Sequence, residues 1–96
     1  MAHEVEIRLE SFTDDEHHKI RNFLEALWVK LGDAGWASWD NFDDLFDRRV
    51  KPGARFSFQV TTRRKLRDAL ALVDRVIVSH MMGLFTTVTH RKVQDG

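Results

Sequence analysis

Twice along this chain a stretch that alternates every second residue gives way to a long stretch that repeats every 3.6. In "HEVEIRLESF", Val5, Ile7 and Leu9 alternate with Glu4, Glu6, Arg8 and Glu10, the period of a strand with one buried face. In "ARFSFQV", Ala54, Phe56, Phe58 and Val60 alternate with Arg55, Ser57, Gln59 and Thr61. Behind the first strand, Ile20, Phe23, Leu24, Leu27, Trp28 and Leu31 recur at spacings of three and four. They predict an amphipathic helix over 13–31. It opens on "TDDE", a capping-box spacing of Thr13 and Glu16, and Gly32 is its expected stop. Behind the second strand, Leu66, Ala69, Leu70, Val73, Ile77, His80 and Met81 keep the same period without a breaker before Gly83. One helix over 62–82 is expected, packing Leu66, Leu70, Val73 and Ile77 on a sheet. The β-branched "VIV" at 76–78 favours a strand locally, but the unbroken period outweighs it. "LFTTVTHRKV", rich in Thr, Val and Phe, predicts a last strand over 84–93.

The element order is therefore β, α, an ambiguous segment, β, α, β. Residues 36–50 fit either a short acidic amphipathic helix or a second strand beginning near Trp36, and Pro52-Gly53 then marks a turn. With a strand in that segment the order is the ferredoxin-like split βαβ pattern. The expected fold class is α+β: a two-layer sandwich with two long helices on one face of an antiparallel sheet. Its 96 residues suit one compact domain, 1–96, that buries above about 60% of its unfolded surface.

Composition narrows the chemistry. Hydrophobic residues at 43% and charged ones at 31%, with one proline, describe a folded globular chain. With no cysteine, thiolate zinc sites, thiol nucleophiles and disulfides are excluded. No apolar run approaches the ~20 residues of a membrane helix, and the charged N-terminal stretch does not fit a secretory leader. The expected location is cytoplasmic, with no membrane partner.

The five histidines, His3, His17, His18, His80 and His90, form no i, i+4 pair. No metal and no cofactor are expected. His80 falls on an apolar stripe, whereas His17 and His18 are expected in solvent. Neither a nucleophile elbow nor a glycine-rich phosphate loop is present, so the chain is expected to be non-enzymatic.

The formal net charge is zero, but it is a cancellation. Residues 1–47 hold twelve acids against four Lys/Arg, a net of −8, and residues 48–96 hold eleven Lys/Arg against three acids, a net of +8. Within 48–67 there are eight cations and no acid: Arg48, Arg49, Lys51, Arg55, Arg63, Arg64, Lys65 and Arg67. Three of them follow Thr61 and Thr62 at the expected start of the second helix, where the macrodipole disfavours positive charge. Arg64 can pair with Asp68 at i, i+4, but Arg63 and Arg67 repel at the same spacing. Local structure gives little reason for the cluster. A helix start with threonine hydroxyls, free backbone N–H groups and guanidinium groups suits an anion, either phosphate or a partner's carboxylates.

A second candidate surface is the acidic aromatic stretch, Trp36, Trp39, Asp40, Asp43, Asp44 and Asp47, since tryptophan is enriched at binding hot spots. An RNA-stacking sheet would display aromatics on its open face. Here Phe56 and Phe58 share a face with Ala54 and Val60, the expected core side.

These features together predict a small binding or regulatory protein that acts on a protein or nucleoprotein complex. Its size and charge suit a phage-type inhibitor of a nucleic-acid-handling assembly. Direct nucleic-acid binding by the basic 48–67 segment is the alternative, and a homodimer through sheet edges is a further possibility.

Overall fold

The computed structural model describes residues 2–10, 12–36 and 50–93. Three strands form one antiparallel sheet in the order β2-β1-β3, with β1 at Ala2–Leu9, β2 at Arg55–Val60 and β3 at Thr86–Val93. Among the described residues two helices, α1 at His17–Asp33 and α2 at Arg63–Ser79, lie between them in sequence. This is an α+β fold. The further strand that the split βαβ pattern requires would come from 37–49, outside the described residues.

Alternation in the sequence becomes burial in the sheet. Val5, Ile7 and Leu9 are fully buried, and register pairs Val5 with Phe58 and Ile7 with Phe56, both also buried. His3, opposite Val60, is buried as well. Both helices add their stripes to the same cluster, Ile20, Phe23, Leu24, Leu27 and Leu31 from α1 and Ala69, Val73, Val76 and Ile77 from α2. Leu66 and Leu70 are only half-buried at its margin. The core stripe of α2 is therefore rotated from the expected 66/70/73/77 toward Ala69 and Val76. Ala69 is fully buried at the centre of that stripe, and both leucines lie at the rim. The "VIV" segment is helical, as the period requires.

Helix ends depart from expectation. The chain enters α1 through a 3-10 turn at Asp14–Glu16. The Glu16 carboxylate accepts the Thr13 backbone N–H at 2.9 Å and the Thr13 hydroxyl at 3.1 Å, so the Glu half of the capping box forms. Gly32 does not stop α1; the stop is Gly35 at φ 78. Its N–H donates to the Gly32 carbonyl at 3.0 Å, and the Trp36 N–H donates to the Leu31 carbonyl at 3.0 Å. These two bonds make a Schellman closure, which needs a left-handed residue after the cap.

The end of α2 is the same motif displaced from its glycine. Met81 N–H donates to Val78 O at 3.1 Å and Met82 N–H to Ile77 O at 2.9 Å. Met81, not Gly83, takes the left-handed conformation, at φ 54. Buried Met82 is the anchor that sets this position.

The turn into β2 follows its sequence closely. Pro52 and Gly53 occupy the two central positions, Ala54 N–H closes on Lys51 O at 3.1 Å, and Gly53 has φ 93, as a type II turn demands. No helix among the described residues is long and apolar enough to cross a membrane.

Candidate functional site

The candidate site begins at Thr62, the N-cap of α2. In its extended conformation (φ −134, ψ 160) its hydroxyl oxygen accepts the Lys65 N–H at 3.1 Å, and its carbonyl accepts the Leu66 N–H at 2.9 Å. Lys65 Nζ reaches back to the Thr61 hydroxyl at 3.5 Å. Both threonines are thus engaged locally. The backbone donors left for an outside anion are those of Arg63 and Arg64, fewer than a whole free turn.

Past the cap, Arg63, Leu66, Arg67 and Leu70 fall at i, i+3, i+4 and i+7, one stripe of the helix. Together with Arg64 they line an open groove of about 660 Å³. Leu66 and Leu70 form its half-buried floor and the exposed arginines its walls. Arg63, Arg64, Lys65 and Arg67 make no ion pair among the described residues. The expected Arg64–Asp68 pair does not form, so each of these cations keeps its charge uncompensated.

Arg55 does not belong with them. It lies on the outer face of β2, where a guanidinium nitrogen stands 4.0 Å from the Glu6 carboxylate. On that face Arg91 reaches Glu4 at 3.4 Å and Arg8 reaches Glu10 at 4.0 Å. Glu4, Glu6, Arg55, Ser57 and Arg91 line a polar depression of about 510 Å³. The basic segment that is continuous in sequence is divided by the fold between a compensated sheet face and an uncompensated helix face. Lys51 is exposed in the turn before β2, and Arg48 and Arg49 lie outside the described residues.

Of the second candidate surface, Trp36 is half-buried against the core, where it also closes α1. Trp39, Asp40, Asp43, Asp44 and Asp47 lie outside the described residues. His17, expected in solvent, is half-buried, with Nε2 3.0 Å from the Val50 carbonyl oxygen. His18 is exposed, and His80 meets the Phe23 ring edge-on at 6.2 Å. No group of three or more His, Asp or Glu among the described residues is placed to hold a metal ion.

Charge counting missed the two leucines on the groove floor. Their spacing from Arg63 and Arg67 was the available signal, but the same leucines also fit a core stripe. Compared with known proteins, the chain matches no family model, and no curated protein or solved structure resembles it significantly.

Proposed function

We propose that this chain is a small cytoplasmic regulatory protein that acts by binding rather than by catalysis, docking on a partner protein through the Arg63–Leu70 stripe of α2. One observation carries the reading: three arginines without acidic partners, Arg63, Arg64 and Arg67, line a groove with two half-buried leucines. Uncompensated arginines around an apolar strip complement an acidic amphipathic helix, whose apolar side chains cover Leu66 and Leu70 while its carboxylates meet the guanidinium groups. Size and charge suit an inhibitor that occupies a surface of a nucleic-acid-handling complex.

The same cations support a second reading, direct binding of nucleic-acid phosphates, and the leucines separate the two. Phosphate contacts need the arginines alone, whereas a protein groove needs the floor as well. The test uses host lysate passed over the parent chain, an Arg63→Gln/Arg64→Gln/Arg67→Gln variant and a Leu66→Ser variant, with captured protein and nucleic acid both scored. Docking on a protein predicts a partner captured by the parent and lost, by tenfold or more, from both variants. Nucleic acid retained by Leu66→Ser and released steeply with salt would establish the phosphate reading instead. Equal capture by all three chains would remove the stripe from function.

A further inference from the structure

Among the described residues β3 forms one edge of the sheet, and the β1 ladder fixes the phase of its backbone groups. Glu10 N–H donates to Phe85 O at 2.6 Å, one step beyond the Leu9–Thr86 pair. In an antiparallel ladder the bonded pairs alternate, so Arg8/Thr87, Glu6/Thr89 and Glu4/Arg91 also exchange bonds. Leu9 confirms the phase from the other side, because its N–H donates to Ala54 O beside β2 at 2.7 Å. Thr86, Val88, His90 and Lys92 therefore direct their backbone N–H and C=O groups away from β1. These groups have no backbone partner among the described residues.

Natural edge strands are guarded by shortness, proline, bulges or charge. β3 is eight residues long, contains no proline, and pairs with β1 in unbroken register from Thr86 to Val93. Only charge remains, and it is confined to His90, Arg91 and Lys92. The first half, Thr86–Thr89, is Thr-Thr-Val-Thr, with high strand propensity.

We propose that β3 pairs antiparallel with β3 of a second copy about a twofold axis at Thr89, joining the two sheets edge to edge into one continuous sheet. In that register His90 faces Val88 of the other copy, Arg91 faces Thr87 and Lys92 faces Thr86. No cation meets a cation directly, and Arg91 is already compensated by Glu4 at 3.4 Å. Four pairs of outward-facing residues then exchange about two hydrogen bonds each. Moving the axis to His90 sets that residue against itself. Moving it to Val88 pushes Arg91 and Lys92 past the strand end, opposite Phe85 and Leu84. The chain's zero net charge adds no long-range repulsion between copies. This inference does not depend on the α2 stripe, whose variants leave it unchanged.

The chain has no cysteine, so a single introduced thiol reports the register. On the axis, two copies of Thr89→Cys have Cα atoms about 4.5 Å apart, within disulfide reach. Two copies of Arg91→Cys stand four residues apart along the strand, about 13 Å. Light scattering across a dilution series should give twice the monomer mass for the parent, and mild oxidation should give a covalent dimer for Thr89→Cys and not for Arg91→Cys. His90→Pro removes an outward donor without breaking the β1 ladder, a placement edge strands tolerate. It should reduce the mass to that of the monomer while the circular dichroism is kept. Should His90→Pro unfold, the two cysteine variants decide. A monomeric parent at every concentration, or equal cross-linking at 89 and 91, overturns the proposal. A monomeric parent that binds a strand-forming peptide of another sequence would give the edge to a different chain.

Discussion

Two charged faces of this molecule are built from similar residues and treated in opposite ways. On the outer face of the sheet, Arg55, Arg91 and Arg8 each stand within 4.0 Å of a glutamate: Glu6, Glu4 and Glu10 respectively. On α2, Arg63, Arg64, Lys65 and Arg67 stand without an acid, three of them in the first helical turn. Counting charges along the chain puts Arg55 and Arg63 in one basic segment. The sheet separates them, because Arg55 reaches Glu6 diagonally across the neighbouring strand, whereas the first turn of α2 contains no acid. Compensated charge is what a solvated face needs, while uncompensated charge at a positive helix end costs local stability and calls for another explanation.

α2 is held by its buried side and not by its cations. Removing that support has the largest effect expected. Phe23 is fully buried on α1, and its ring meets His80 at the end of α2. Phe23→Ala should cost about 3–5 kcal/mol in denaturant unfolding, through lost burial and the cavity left behind. Leu70→Ala, at the half-buried groove floor, should cost clearly less. If the two costs were equal, Leu70 would be a core residue and the groove would have no distinct floor.

Elements defined by their own periodicity were legible in the sequence. Val5, Ile7 and Leu9 announce β1, and Phe56 and Phe58 announce a strand whose aromatics are buried rather than displayed. The long period through "VIV" correctly overrode local strand propensity. Elements defined by distant partners were not legible. Gly32 and Gly83 looked like helix stops, but a Schellman closure is placed where its flanking apolar residue finds the core, and Trp36 and Met82 chose Gly35 and Met81. Likewise the expected site joined Arg55 to Arg63, because the pairing that removes Arg55 is made across strands. The Arg63–Leu70 stripe could be read from spacing alone, but which leucines are half-buried depends on how α2 is rotated over the sheet.

At the other end of α2, Met81 is also an unfavourable residue. It is 76% exposed and sits at φ 54, a conformation that crowds its Cβ. Met81→Gly should stabilise the fold by about 1 kcal/mol, seen as a raised unfolding midpoint. The cost at this end is backbone strain imposed by Met82. No comparable packing demand accounts for the cations at the beginning. An unchanged midpoint would mean that Met81 is repaid by a contact, and that an unfavourable residue on α2 is not by itself a sign of function.

On the sheet face, a double-mutant cycle over Glu4→Gln and Arg91→Gln should give a favourable coupling of about 0.2–1 kcal/mol that shrinks with added salt. Glu4 is the more enclosed partner, with 18% of its side chain exposed against 75% for Arg91. Glu4→Gln alone should therefore destabilise by at least the coupling, since loss of the pair with Arg91 is part of its cost and the amide must be accommodated in a largely enclosed site. Zero coupling would erase the distinction between a face that uses its charges and one that does not.

The smallest effect carries the opposite sign. Arg63→Gln removes a cation from the first turn of α2 and also relieves its i, i+4 repulsion with Arg67. Because Arg63 has no acid to lose among the described residues, stability should rise by a few tenths of a kcal/mol at low ionic strength and converge on the parent as salt screens both interactions. Arg91→Gln, measured beside it, should instead lower stability under the same low-salt conditions. A loss of stability in Arg63→Gln would show that the side chain is compensated within the molecule after all. The α2 face would then be a solvated surface like the sheet face, and its cations would no longer need a partner to explain them.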